Sequence, residues 1–240
     1  MSTTRVDEIL TGVLTSQRDD RTLPDVVCAA CASALPVSGV GMALMSGSGP
    51  VGLVSATDGA AKTMEDLQFS LGEGPCVDAS TLARPVLQPE LRRTAPALWP
   101  SFGPAALDAG IEAIFAFPLH VGGIRLGVLD LYRDTAGGLS SPDLEEALSY
   151  ADAATRVILH LQDQMPLDGA LHPDLADPTH YRLVVHQASG MVAVQAGVSL
   201  TEALLKLRAR AYSDGRGLTD VARDVVERTL RLTAAIDEDE

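Results

Sequence analysis

The sequence contains few cysteines, lysines and aromatic residues, and it lacks long apolar runs. Its 240 residues include three cysteines and two lysines, and only 4% are aromatic. No run approaches the roughly 18–20 uninterrupted apolar residues that a membrane helix needs, so we expect no membrane partner. Residues 1–8 become acidic early and contain no apolar stretch, which predicts no secretory signal. The apolar fraction of 46% is ordinary for a folded chain, and we expect a soluble, cytoplasmic protein.

The three cysteines, Cys28, Cys31 and Cys76, cannot all pair with one another. Cys28 and Cys31 form a Cys-x-x-Cys motif, but it lies within a predicted helix and no second pair completes a zinc site. Two thiols three residues apart share one helical face, and we interpret them as small buried side chains. A redox pair is the alternative.

No motif for catalysis or for a cofactor is present in the sequence. The phosphate-binding pattern G-x-x-x-x-G-K-[ST] is absent, and Gly72-Glu-Gly-Pro-Cys-Val77 lacks the third small residue of a dinucleotide fingerprint. The histidines have no metal-ligand spacing; they are His120, His160, His172, His180 and His186. We therefore expect no catalytic residue, no metal ion and no cofactor, and we do not expect an enzyme.

Charge is distributed unevenly along the chain, whose net charge is −14. Residues 1–179 carry 10 Lys and Arg against 23 Asp and Glu, residues 180–233 carry 8 against 5, and residues 234–240 hold four acids. A basic segment between an acidic body and an acidic tail (residues 234–240) suggests a polyanionic partner. The alternative is a helical domain with no such partner, because a net charge of +3 over residues 180–233 is also common there.

Residues 1–133 have the pattern of an α+β domain. Helices are predicted for 5–14, 23–35, 60–69 and 99–109, and strands for 37–45, 51–56, 84–88, 113–121 and 125–132. Gly122-Gly123 between the last two strands suits the positive φ angles of a two-residue hairpin. Together these elements predict an antiparallel sheet with flanking helices.

A longer helix is predicted for residues 143–163, with Ser141 as N-cap and Pro142 at the first helical position. Its apolar residues fall three or four positions apart on one stripe: Leu144, Leu148, Ala151, Ile158 and Leu161. The stripe would pack on the chain's own sheet or pair with a second subunit in a short bundle. We favour the second arrangement, a homodimer.

Residues 164–178 contain three prolines, one glycine and no periodicity, which is typical of a linker. Asp177-Pro178 predicts the start of a helix that runs to about Gln195. Ser199-Leu-Thr-Glu202 is a capping box that opens a second helix to about Ser213, and a third is predicted for residues 218–232. Residues 179–233 therefore form a small three-helix domain.

Three segments of this domain carry a recognisable pattern. They are His186-Gln-Ala-Ser-Gly-Met-Val-Ala-Val-Gln-Ala-Gly-Val-Ser199, Glu202-Ala-Leu-Leu-Lys-Leu-Arg-Ala-Arg-Ala211 and Gly217-Leu-Thr-Asp-Val-Ala-Arg-Asp-Val-Val226. The pattern resembles the ANTAR domain, the RNA-binding module of bacterial transcription antiterminators. Its matching positions are Ala188, Gly190, Met191, Gly197, Ser199, Ala203, Leu207, Arg208, Ala211, Leu218, Val221 and Ala222. Many members have lysine where this chain has Ser189.

The acidic body is similar to a GAF domain. Leu71-Gly-Glu-Gly-Pro75, Arg84-Pro-Val86 and the hairpin around Gly122-Gly123 carry the resemblance, which implies a six-stranded antiparallel sheet and often a small-molecule pocket. The usual partner of an ANTAR domain is a phosphoryl-accepting receiver domain, which requires a lysine near its C-terminal end. The only lysine before the linker is Lys62, so the sequence does not fit a receiver domain. We therefore expect a GAF-like sensor or dimerisation domain at 1–163, joined by the linker to an ANTAR domain at 179–233.

Gly190 is the most informative residue of the expected RNA site. A glycine in mid-helix costs about 1 kcal/mol relative to alanine, so it requires close helix packing or close approach of a ligand to the backbone. Arg208 can fork onto a phosphate or a base edge, and Arg210, Arg216 and Arg223 are candidates to frame the site. With the resemblance, the expected RNA-binding residues are Gln187, Ala188, Ser189, Gly190, Met191, Gln195, Arg208, Ala211, Arg216 and Ala222.

The resemblance implies a homodimeric regulator of transcription antitermination that binds paired RNA hairpin loops in a nascent mRNA leader. The alternative is a GAF-type ligand or redox sensor whose helical domain is a protein-interaction module. An unidentified small-molecule ligand in the GAF domain is compatible with both.

Overall fold

The computed structural model describes residues 3–16, 21–46, 49–165, 171–176 and 181–233. The chain divides into two units, Met1–Ala176 and Asp177–Glu240. Several predicted features lie outside the described residues: part of the turn at 46–50, parts of the linker, the helix start at Asp177-Pro178 and the acidic tail.

A five-stranded antiparallel sheet forms the centre of the first unit. Its strands are β1 (Gly39–Ser46), β2 (Gly49–Ala56), β3 (Val86–Gln88), β4 (Ala113–Val121) and β5 (Ile124–Arg133), in the order β2-β1-β5-β4-β3. Gly122 has a φ of +57° in the two-residue turn between β4 and β5, so the predicted hairpin is confirmed. The GAF resemblance implied six strands, and the described residues form five.

Helices cover both faces of this sheet. They are α1 (Thr3–Ser16), α2 (Leu23–Ala34), α3 (Gly59–Leu71), α4 (Pro75–Leu82), α5 (Leu91–Leu98), α6 (Phe102–Asp108) and α7 (Ser141–Asp163). Alternate residues of β4 face opposite layers: Phe115 and Phe117 join the core with α1, α2 and α7, whereas Ile114 packs with α3, α5 and α6. The strands are therefore apolar on both sides, as in a sheet between two helical layers.

Helices α4 and α5 were not predicted from the sequence. Helix α4 begins at Pro75 directly after Gly72 and Gly74, both at positive φ, so the glycines obscured its start. Helix α5 contains Pro96, which argues against a helix in the sequence pattern. The predicted N-cap of α7 was wrong by one residue: the hydroxyl of Ser140, not Ser141, accepts the hydrogen bond from the Asp143 N–H.

The apolar stripe of α7 packs within its own chain. Ala151, Ile158 and Leu161 are buried with α1 and α2 against the sheet, which is the first of the two arrangements that the sequence left open. A short 3₁₀ helix, Pro173–Leu175, adds Leu175 to this core at 2% exposure. Residues 173–175 are thus part of the folded unit, although the sequence assigned them to the linker.

The second unit contains α8 (Tyr181–Ala196), α9 (Leu200–Asp214) and α10 (Leu218–Val226). The predicted capping box at Ser199 and Glu202 is present. Helix α8 packs against both other helices, and its Ala188 and Val192 are fully buried. Helix α10 ends at Val226, six residues before the predicted end.

Among the described residues, no single helix has the length and apolar character to cross a membrane. Helices 183–196 and 200–214 taken together have the length and composition of a membrane span, but they are bent by 105° relative to each other.

Candidate nucleic-acid interface

Several residues that the sequence assigned to RNA binding are buried in the core of the second unit. Ala188 and Ala222 are fully buried, and Ser189 and Ala211 are 5% and 6% exposed. The hydroxyl of Ser189 donates to the Val185 carbonyl at 2.8 Å within α8, so it is already satisfied. These four side chains are not on a surface that an RNA can contact, because their faces of the helices pack on one another.

Gly190 lies on the open side of α8. A Cβ atom added to Gly190 would meet nothing within 4 Å beyond its own helix. Close helix packing, one of the two reasons for a glycine here, is therefore absent among the described residues. The backbone at Gly190 is therefore open to another molecule on this side of the helix.

Gly190 forms part of a cleft with a volume of about 730 Å³, which we call the α8 cleft. Its α8 side comprises Gln187, Gly190, Met191, Val194 and Gln195. Four of the ten predicted site residues, Gln187, Gly190, Met191 and Gln195, are thus brought together. The half-buried Arg208 and the exposed Arg216 do not line the cleft.

Arg228 and Arg231 form the other side of the α8 cleft, and sequence reasoning missed both. In a continuous helix, Asp224 and Glu227 would lie one turn before them and neutralise them. The helix instead ends at Val226, and Arg228 adopts a φ of +63°. The N–H groups of residues 229 and 230 then both donate to the Asp224 carbonyl, at 2.9 and 3.1 Å, and turn the chain toward α8.

The cleft arginines differ from three other arginines of this unit, each of which pairs with an acid. Arg210 pairs with Asp214 at 2.8 Å, Arg216 with Asp224 at 2.7 Å, and Arg223 with Asp220 at 3.1 Å. Arg228 and Arg231 make no ion pair with any residue in the described part of the chain. Within the described residues, the charge of these two cleft arginines is therefore not neutralised by an ion pair.

A cluster of buried polar side chains lies between the sheet and α3 in the first unit. The Tyr132 hydroxyl donates to the Glu65 carboxylate at 2.8 Å, and the Gln68 amide donates to Asp130 at 3.0 Å. The Gln68 carbonyl accepts from the Cys76 N–H at 2.8 Å. Burial and the nearby Glu65 carboxyl raise the pKa of Asp130 well above its usual value.

The three cysteines are outside any disulfide bond and are fully buried. Burial raises the pKa of Cys28 to about 12, and it also raises the pKa of Cys31. Thiols that stay protonated and buried are poor nucleophiles, which weighs against the redox interpretation of Cys28 and Cys31. No group of three or more His, Cys, Asp or Glu side chains is placed to hold a metal ion within the described ranges.

Solved GAF domains share the fold of the first unit. The GAF domain of a phosphoenolpyruvate-protein phosphotransferase from Acinetobacter superposes with a TM-score of 0.51 at 13% identity, over 70% of this chain and 100% of that domain. The corresponding domain from Coxiella burnetii gives 0.50 at 16% identity, over 68% and 98%. The first unit has the GAF fold. No protein-family model and no curated protein matches the sequence.

Proposed function

We propose that this protein is an RNA-binding regulator of transcription antitermination, and that the α8 cleft receives the loop of an RNA hairpin. The observation that carries the proposal is the placement of Arg228 and Arg231, neither of which pairs with an acid of the described ranges, opposite the open backbone at Gly190. Loop bases are unstacked, so they can approach a backbone closely and stack on guanidinium groups. The volume of about 730 Å³ is large enough for unpaired nucleotides.

The remaining cleft residues supply the other contacts that a loop needs. The Gln187 amide offers donors and an acceptor to a base edge, and Met191 and Val194 offer apolar surface to its faces. The ANTAR resemblance of residues 186–226 supports the same assignment. Ser189, at the position where many members have lysine, contributes no charge and is buried.

We also propose that two copies of the chain act together, because paired hairpin loops present two equivalent sites. The GAF-fold unit would supply dimerisation or sensing. Light scattering on the full chain at micromolar concentration measures the mass of the particle. A monomer, both alone and with RNA, contradicts this part of the proposal.

The main experiment is a selection of hairpin RNAs with randomised loops on the full-length protein at near-physiological salt. We expect a defined loop sequence to be enriched. A two-hairpin RNA that carries this loop should then bind more tightly than a copy with scrambled loops and identical stems. Equal affinity for the two RNAs contradicts specific loop recognition.

Exposed apolar side chains favour a second candidate function, a protein-interaction module controlled by a GAF-type sensor. Leu183 and Val194 on α8 are 60% and 86% exposed, and Leu205 and Tyr212 on α9 are 64% and 76% exposed. Apolar groups of this size at a surface are typical of protein interfaces. The RNA selection separates the candidates, since a module of this kind would enrich no loop sequence.

A further inference from the structure

The α8 cleft carries positive charge that the described residues do not neutralise. Arg228 and Arg231 are both exposed and both line the cleft, whereas the acids of α9 and α10 that form ion pairs do so with arginines elsewhere in the unit. A pair of guanidinium groups beside an apolar floor attracts any flexible anion that can reach it. A strong candidate for that anion is present in the sequence of the same chain.

Four carboxylates follow the cleft arginines in the sequence: Asp237, Glu238, Asp239 and Glu240. We propose that the acidic tail binds in the α8 cleft and competes with RNA for Arg228 and Arg231. That RNA is the ligand displaced by the tail rests on the proposed function, but the docking of the tail in the cleft does not. The tail is the favoured occupant because its charge is opposite to that of the cleft and because it is tethered beside it.

The length of the tail is compatible with this arrangement. Thr233 is the last described residue, and Asp237 is four residues further on. Four extended residues span up to about 13 Å, which lets the carboxylates reach back across the opening of the cleft. A short tether also keeps their effective concentration near the millimolar range, so weak individual contacts are sufficient.

The contact chemistry resembles that of the proposed RNA ligand. A carboxylate accepts two parallel N–H groups of a guanidinium, as a phosphate does. The tail has no aromatic or amide side chain to take the place of a base beside Gln187, so its carboxylates imitate the phosphates of RNA and not its bases. We therefore expect the tail to suppress nonspecific RNA more strongly than loop-specific RNA, and its effect to decrease with salt.

The first experiment measures RNA affinity in a tail-neutral variant of the full chain: Asp237→Asn, Glu238→Gln, Asp239→Asn and Glu240→Gln. If the tail fills the cleft about nine-tenths of the time, the affinity should rise about tenfold. The matched control neutralises four exposed acids of the first unit: Asp134→Asn, Glu145→Gln, Asp152→Asn and Asp163→Asn. Both variants change the net charge equally, so an equal gain in both reveals a general charge effect and overturns the proposal.

The second experiment requires no RNA. The guanidinium Nε–Hε signals of the arginines are recorded by NMR in the wild-type chain and in the tail-neutral variant. Signals of Arg228 and Arg231 should shift, whereas that of Arg210, paired with Asp214, should not. Unchanged Arg228 and Arg231 signals overturn the docking of the tail. Shifted signals without any RNA binding leave the docking intact and contradict the proposed function instead.

Discussion

The side-chain oxygen of Gln195 accepts a hydrogen bond of 3.3 Å from the backbone N–H of Leu232. This bond joins α8 to the segment that follows α10, and it fixes the chain immediately after Arg231. The sequence assigned Gln195 to RNA binding. The structure gives it a positioning contact that helps to form one wall of the α8 cleft.

Replacing Gln195 with methionine should loosen this wall while preserving helix α8. The variant lacks the acceptor for the Leu232 N–H, so that amide should exchange its hydrogen faster than in the wild type. RNA affinity should decrease, because Arg231 is no longer held in place. Hydrogen exchange followed by NMR tests the first expectation. An unchanged Leu232 exchange rate would show that other contacts hold the segment.

Replacing Arg228 or Arg231 with alanine should weaken RNA binding by about 1–3 kcal/mol if the arginine reads a base. If the arginine contacts only phosphate, the affinity should fall for all sequences and the salt slope should decrease by about 1. Arg223→Ala is the matched control, because Arg223 is exposed, is paired with Asp220 and does not line the cleft. Similar losses in all three variants would point to net charge as the cause.

Gly190→Ala should stabilise the fold and weaken RNA binding at the same time. The added Cβ meets no described atom within 4 Å beyond its own helix, and alanine is favoured over glycine in a helix by about 0.5–1 kcal/mol. The same methyl group would obstruct a base that approaches the backbone. Denaturant unfolding and RNA titration measure the two effects.

Gly12→Ala is the control for this substitution, since Gly12 also lies within a helix and its Cβ would also meet nothing within 4 Å. It should stabilise the protein without affecting RNA. If Gly190→Ala binds RNA as well as Gly12→Ala does, close approach at Gly190 is excluded.

The buried Asp130 should make stability depend on pH. Its pKa is raised in the folded chain, so the folded state retains a proton that the unfolded state releases above about pH 4. The free energy of unfolding should therefore decrease as the pH rises from about 4 through the folded-state pKa. Asp130→Asn keeps the shape and removes this titration. Urea unfolding at several pH values should show a flatter profile for the variant, and an equally steep profile would contradict the assignment.

Cys28 and Cys31 should react with thiol reagents much more slowly in the folded chain than in the unfolded chain. Both are buried, and burial raises the pKa of Cys28 to about 12, so the reactive thiolate is scarce at neutral pH. A thiol-reactive dye should label the native chain slowly and the urea-unfolded chain rapidly. Rapid labelling of the native chain, with a change in RNA binding, would favour the redox sensor.

Local signals in the sequence predicted much of the fold. The Gly122-Gly123 hairpin and the capping box at Ser199 depend on residues close together in the chain, and both were correct. The misplaced N-cap of α7 shows the limit of such signals, because Ser140 and Ser141 are chemically equivalent and only the register of the helix decides between them. Helix α5 was not predicted because Pro96 argues against a helix in the sequence. The helix forms because the packing of Leu91 and Ala95 outweighs the cost of the proline.

The candidate site was less predictable than the fold. The sequence singled out Gly190 because a mid-helix glycine has a known cost, and its role in binding stays a prediction. Ala188 and Ala222, assigned to binding from the ANTAR resemblance, are fully buried, and one sequence alone does not separate packing from binding. Arg228 and Arg231 were missed because the turn at Arg228 uses a positive φ at a residue other than glycine, for which sequence carries no clear signal.

The order of the strands limits how copies of this protein can join. The two edges of the sheet are β2 and β3. Strand β3 has three residues, and β2 begins with Gly49-Pro50, whose proline has no N–H to offer. Short edges and edge prolines discourage a neighbour from adding its own strand, so open-ended polymers built by sheet extension are disfavoured. If copies associate through this unit, its helical surfaces are the expected contact, since a twofold contact there closes on itself and would end growth at a pair.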